Sequence, residues 1–146
     1  MKSVRISNVA IQPDQELAAL EGLGGGALAS FTGIVRGDCG VTAIELEHYP
    51  GMTEASLYRL IEAATARWAL LGAIITHRVG IVPVEAPVVV VGTASLHRAE
   101  ALEATAFLID RLKTEAPFWK REHYADGTAK WVDAKASDEA RAERWA

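Results

Sequence analysis

Cationic side chains carry most of the chemistry legible in this sequence. They are Arg36, the pair His97-Arg98, Lys113 and the pair Lys120-Arg121, set in a chain whose formal net charge is −4. An arginine presents a planar fork that matches phosphate or carboxylate through two hydrogen bonds. A lysine held against apolar neighbours loses solvation, and its proton becomes transferable nearer neutral pH. Lys120 has such neighbours, following Phe118 and Trp119 in "PFWKRE". His97 and Arg98 open a long helical pattern. Free backbone N–H groups there favour an anion, and cations oppose the helix dipole unless an anion offsets them. Arg36 follows an apolar strand and precedes a Gly-containing turn, which delivers it to a strand end. Each of these residues also has a plainer reading as a solvated surface cation. Lys113, at a helix C-terminus, is favoured there by the dipole alone. Together they suit a small phosphorylated ligand.

Other chemistries find little support. The four histidines, His48, His77, His97 and His123, are scattered without an i,i+4 pair or a thiolate partner, so no metal site is expected. "GLGGG" and "GDCG" complete neither a phosphate loop nor a dinucleotide fingerprint. No serine sits in a nucleophile elbow. The lone cysteine, Cys39, could carry a persulfide, but the adjacent Asp38 carboxylate would raise its pKa and blunt it.

The chain has 146 residues, half of them apolar. That suits a single domain, residues 1–146, with a full core. Net acidity argues against a general nucleic-acid binder. No apolar run approaches the roughly 20 residues that span a bilayer. "MKSVRISNVAIQ" alternates as a strand does and lacks a signal-peptide core. With one cysteine, these features suggest a reducing cytoplasm.

The elements that must position the cations follow from periodicity. Val4–Ile11 reads as a strand. Pro13-Asp14 starts a short helix through "QELAALE", ended by Gly22 and Gly24. Ala27–Val35 is apolar enough for a buried strand. Gly37–Gly40 is a turn, and Val41–Tyr49 alternates as a strand. After Pro50-Gly51, Thr53 can cap a helix whose stripe is Leu57, Leu60, Ile61, Ala64 and Trp68. Two strands are expected near Ala73–Ile81 and Pro87–Ala94. A helix then runs from about Leu96 to Glu115, with Leu102, Thr105, Ala106, Ile109 and Leu112 as its buried face, and Pro117 stops it. "FWKREHYADGTAKWVDA" reads as a hairpin turning at Asp126-Gly127. The tail "SDEARAERWA" adds a helical turn or two. The class is α+β with a mostly antiparallel sheet, since strict βαβ alternation is missing.

Five motifs occur in one order: "FTGIVRG", "LEHYPGM", "HRVG", "SLHR" and "LKTEAPFWKRE". With "WVDA" and a Trp-bearing tail after them, the chain resembles the large, catalytic subunits of molybdopterin synthase over nearly its whole length. The resemblance implies an α/β-hammerhead-type fold. It implies conversion of cyclic pyranopterin monophosphate (precursor Z) to molybdopterin by insertion of two sulfurs. The sulfur arrives as a thiocarboxylate on the C-terminus of a small ubiquitin-like subunit, within a heterotetramer built on a homodimer of the large subunit. No metal or other cofactor is implied for the sulfur step. Carried onto matching motifs, the catalytic residues are Lys113 and Lys120. Substrate contacts fall to Ile34, Val35, Arg36, His97, Arg98, Lys113, Lys120, Arg121 and Glu122. The arginines and His97 would hold phosphate and pterin, and the lysines would move protons and stabilise oxyanions. Three positions depart from relatives. Ile34 stands where several carry lysine, the loop "GDCG" is short, and in "IVPVEAP" Glu85 and Pro87 occupy a turn where a glycine is expected. A binding module without catalysis, or transfer through Cys39, are the competing classes.

One constraint is geometric. Along a single helix, His97 and Lys113 are 16 residues apart, or roughly 24 Å at about 1.5 Å per residue. One small pterin cannot easily bridge both ends. A two-fold dimer brings His97 and Arg98 of one subunit to Arg36, Lys113 and Lys120 of its mate, making two equivalent composite sites.

Overall fold

The computed structural model describes residues 1–132 and 136–146. Asp133 and Ala134, at the end of the "WVDA" motif, lie outside the described residues. The elements are β1 (Lys2–Ser7), α1 (Pro13–Glu21), β2 (Ala27–Ile34), β3 (Val41–His48), α2 (Met52–Arg67), β4 (Gly72–Arg78), β5 (Gly80–Pro83), β6 (Pro87–Ser95), α3 (Arg98–Glu115), β7 (Phe118–Tyr124), β8 (Ala129–Val132) and α4 (Ala136–Glu143). The fold is α+β, as expected, but the strands form two sheets rather than one. The first has the order β1-β4-β6-β2 and the second β5-β3-β7-β8. Among the described residues, the β1–β4 pairing is parallel and the other pairings are antiparallel.

The first sheet is covered on both faces, which explains the near-continuous apolar runs of β4 and β6. Ile74 and Ala94 pack toward Leu17 and Leu20 of α1. On the opposite face, Ala73, Ile75, Val89 and Val91 join the main core with Leu57 and Ile61 of α2 and Leu108 and Leu112 of α3. The close approach of α1 depends on Gly92, where a Cβ would stand 2.5 Å from Leu17 Cδ2.

Several expected boundaries move. The strand expected over Val4–Ile11 ends at Ser7, where the hydroxyl turns back on Val9, accepting its N–H at 3.2 Å and reaching its carbonyl at 2.9 Å. The strand expected over Ala73–Ile81 is two strands. Gly80 takes φ 82, a left-handed conformation that glycine adopts without cost, and the chain leaves the first sheet for the second. β2 is an edge strand with Leu28, Phe31 and Ile34 exposed, not a strand buried on both faces. The cap of α2 is Gly51, at φ 84, with the Glu54 carboxylate accepting its N–H at 2.9 Å. Thr53 lies inside the first turn, buried. Its hydroxyl accepts from the Tyr49 N–H at 2.9 Å and donates to the Pro117 carbonyl at 3.1 Å. The predicted hairpin forms with Gly127 at φ 87 and Asp126 Oδ1 accepting the Thr128 N–H.

The expected face of α3 is rotated. Ala101, Ala104, Thr105, Phe107, Leu108 and Leu112 are buried, whereas Leu102 is 60% exposed. Apolar residues occur almost all round this helix, so periodicity could not choose between faces. The choice is made by Phe107. It packs edge-on against Trp68 and Trp145, with ring centroids 5.2 and 5.8 Å away. Trp145 is anchored in turn by its indole N–H to Asp110 Oδ2 at 2.7 Å, and its carbonyl accepts from Arg67 and Arg111.

Candidate active site

A cavity of about 270 Å³ is lined by residues of both sheets and of α3. Its contributors follow from strand alternation. β3 turns Ile44 and Leu46 into it, and β7, paired beside β3, turns Lys120 and Glu122 in from the same face. The end of β2 brings Ile34, Val35 and Arg36, and the last turn of α3 brings Lys113. Six of the residues expected to form the site therefore meet at one place: Ile34, Val35, Arg36, Lys113, Lys120 and Glu122 line one cavity, from three separate parts of the chain. Lys120 and Glu122 are half-buried, while Arg36 and Lys113 are exposed. Arg36 Nε lies 3.3 Å from Asp38 Oδ2, an exposed pair of small energetic weight that a stronger anion could displace.

His77, near the end of β4, also lines this cavity and was not singled out from the sequence as a site residue. Its side chain is almost wholly buried. Nδ1 lies 2.8 Å from the Arg78 carbonyl oxygen, and the ring stacks on Phe118. Burial lowers its pKa to about 4, and Lys113 and His48 push in the same direction. The signal was present in "HRVG", but a histidine inside an apolar run reads first as core.

Arg121 points to the opposite face of β7. Its Nη2 donates to Glu45 Oε1 at 2.6 Å, and its guanidinium lies 5.0 Å from the Trp131 ring centroid. Hydrogen bonds from Arg121 and then His123 hold the Glu45 carboxyl below its usual range. Arg121 therefore supports the strand and does not line the cavity with Lys120. His97 is the N-cap of α3 and Arg98 its first residue; both are exposed and away from the cavity. From Arg98 to Lys113 the helix rises roughly 22 Å. Cys39, exposed at φ 55, is not among the lining residues. Among the described residues, no three His, Cys, Asp or Glu side chains gather as a metal would require.

Lys113 borders a second cavity, of about 450 Å³, between β2, α3 and α4. Phe31, Leu102, Ala106 and Ile109 give it an apolar wall, and Asp138 and Arg141 close one end.

The fold recurs in known proteins. Residues 6–115 match the family model described as MoaE protein. The chain is 46% identical over 150 residues to the molybdopterin synthase catalytic subunit of Ralstonia nicotianae, covering 99% of this chain and 85% of that one. The chain belongs to the MoaE family of molybdopterin synthase catalytic subunits. It is an enzyme of molybdenum cofactor biosynthesis. The solved MoaE protein of Burkholderia ambifaria superposes with a TM-score of 0.85 at 43% identity, covering 99% of this chain and 98% of that one. A complex of subunits 1 and 2 of molybdopterin-converting factor from Helicobacter pylori shares the fold, with a TM-score of 0.76 at 21% identity over 91% of this chain and 90% of that one. In this member of the family, the lysines of the "LKTEAPFWKRE" motif are carried by α3 and β7 onto one cavity. No helix among the described residues is long and apolar enough to cross a membrane.

Proposed function

We propose that this chain converts cyclic pyranopterin monophosphate to molybdopterin in the cavity bounded by Arg36, Lys113, Lys120 and Glu122. The convergence of Lys113 and Lys120, from α3 and β7, on one cavity beside Arg36 carries the reading. A thiocarboxylate at the C-terminus of a small ubiquitin-like subunit supplies the sulfur. By likeness to the Helicobacter pylori complex, that subunit docks on this chain. Its anionic, extended tail suits a groove that ends at cations. The thiocarboxylate sulfur bonds to a pterin side-chain carbon as a C–O bond at that carbon breaks, the oxygen leaving as water or as the released end of the cyclic phosphate, and water then cleaves the resulting thioester. The carrier leaves as a carboxylate and the sulfur stays on the pterin. Two rounds give the dithiolene. Lys120, half-buried, transfers protons, and the Lys113 ammonium stabilises the oxyanion of thioester cleavage. Arg36 takes the phosphate in place of Asp38.

The site is completed by a second copy of the chain, which contributes His97 and Arg98. Two observations support this. The length of α3 keeps these residues from Lys113 of their own subunit, and Phe31 and Leu102, on the wall of the second cavity beside Lys113, are exposed among the described residues. The assembly is then a homodimer of this chain carrying two small subunits.

The test is reconstitution. Purified chain, thiocarboxylated small subunit and cyclic pyranopterin monophosphate should yield dithiolene, followed by mass. Binding of the small subunit without any dithiolene would leave a binding module and reject the catalytic reading. Full activity of Cys39→Ser is expected, and its loss would favour sulfur transfer through Cys39.

A further inference from the structure

His77 is a buried titratable residue to which sulfur insertion, as described above, gives no task. It is 5% exposed, yet it lines the cavity bounded by Arg36, Lys113, Lys120 and Glu122. Its ring is fixed in plane and in tautomer. The plane is set by Phe118, stacked with a centroid distance of 4.0 Å and 24° between rings. The tautomer is set by the Arg78 carbonyl oxygen, 2.8 Å from Nδ1. A carbonyl can only accept, so in the neutral ring the proton sits on Nδ1 and Nε2 keeps its lone pair.

That lone pair is not used within the fold. Among the described residues no donor reaches Nε2. Nor is Nε2 sealed away from solvent. The buried side-chain atoms left without a partner among the described residues are Arg78 Nε, Glu100 Oε2 and Arg121 Nε. In a residue that is 5% exposed and sits on the cavity wall, the access of Nε2 is through the cavity.

The charged groups around the ring are Lys113 from α3, Lys120 and Glu122 from β7, Arg36 and Asp38 from the β2–β3 connection, and His48 from β3. Burial first, then the positive charge of Lys113 and of His48, lower the His77 pKa to about 4. Nε2 is therefore an uncharged acceptor throughout neutral pH. The cations suit phosphate and developing oxyanions. A pterin also presents N–H donors, and a donor buried without a partner is costly. A neutral nitrogen can take such a donor without repelling the phosphate, as a further carboxylate would.

We propose that His77 reads the substrate: its Nε2 accepts a hydrogen bond from an N–H of the pterin and orients that ring in the cavity while the cations take the phosphate. This rests on the reading of the cavity as the pterin site.

The test measures binding without turnover. The full chain, with the small subunit in its carboxylate form, is titrated calorimetrically with cyclic pyranopterin monophosphate. His77→Phe keeps a ring against Phe118 and removes the acceptor. His77→Gln offers an amide oxygen near the Nε2 position. The Phe variant should bind about 10-fold more weakly or worse, because the pterin N–H is left buried and unpaired. The Gln variant should recover most of the affinity, and both should bind the small subunit as wild type does. In turnover the loss should fall on KM and largely spare kcat, as removal of uniform binding does. Wild-type affinity in His77→Phe, or His77→Gln as weak as His77→Phe, overturns the proposal. Nitrogen NMR of ring-labelled wild-type protein decides the contact even if a variant fails to fold. The free protein should show the Nδ1–H tautomer, and saturating substrate should move the Nε2 resonance toward that of a hydrogen-bonded acceptor. An Nε2–H tautomer, or an Nε2 resonance unmoved by bound substrate, refutes this role and leaves the pterin site standing. A wild-type chain that binds no cyclic pyranopterin monophosphate rejects the site and this role together.

Discussion

His77 and Phe118 lie face to face, ring centroids 4.0 Å apart, and this stack joins the first sheet to the second at the cavity wall. His77 belongs to β4 and Phe118 opens β7, so the strand bearing Lys120 is referenced directly to the most buried sheet. Phe118 is steadied from behind, because its neighbour Pro117 accepts the Thr53 hydroxyl at 3.1 Å.

Acid should unfold the protein through His77 before it does so through the carboxylates. The native pKa is about 4 against the ordinary histidine value of 6.5, so the unfolded chain binds the proton first. The stability contributed is complete above about pH 6.5 and is lost as pH falls toward 4. Over that window the loss is about 3 kcal/mol, at about 1.4 kcal/mol per pKa unit. Denaturant unfolding at pH 7 and pH 5 should show the decline in wild type and a flatter profile in His77→Phe. A pH-independent wild type over this range contradicts the burial of a neutral ring.

Lys120→Ala should lower turnover by roughly 100-fold or more, as removal of a proton-transfer group does. Folding should survive, since Lys120 is only half-buried and lies outside the apolar core. Circular dichroism and dithiolene formation together check both halves. Retained turnover would exclude Lys120 as the proton carrier.

Subunit mixing tests the composite site. Arg98→Ala and Lys120→Ala homodimers should each be nearly inactive. In a mixed dimer one site carries both lesions and the other none, so about half of wild-type activity should return by symmetry. No recovery in demonstrated mixed dimers would place each site within one chain.

Glu85 offers a prediction on stability alone. It takes φ 74 at the turn where relatives are expected to carry glycine, with its N–H donated to the Val35 carbonyl at 2.8 Å. A left-handed non-glycine residue costs about 1–2 kcal/mol, and glycine's greater freedom in the unfolded chain offsets about 0.5–1 of that. Glu85→Gly should therefore stabilise the protein by about 0.5–1 kcal/mol, read as a raised midpoint in denaturant with unchanged slope. A lowered midpoint would mean the Glu85 side chain contributes more than its backbone costs.

Local chemistry in the sequence was enough for the helices α1, α2 and α3, the 126–127 turn and the alternation that parts Lys120 from Arg121. Pro13, Gly51, Pro117 and Gly127 act within a residue or two of themselves, and side-chain alternation needs only an extended backbone. The motif order was likewise sufficient for the family. Three features depended on the tertiary structure. Gly80 sends β5 into a second sheet, which no periodicity announces, since the apolar run continues across it. The buried face of α3 is set by Trp68 and Trp145, residues 39 and 38 positions from Phe107 in opposite directions, so the helix's own pattern could not select it. His77 became part of the cavity only because β4 ends beside β7, and the protonation of a ring depends on the dielectric and charges that long-range packing assembles around it.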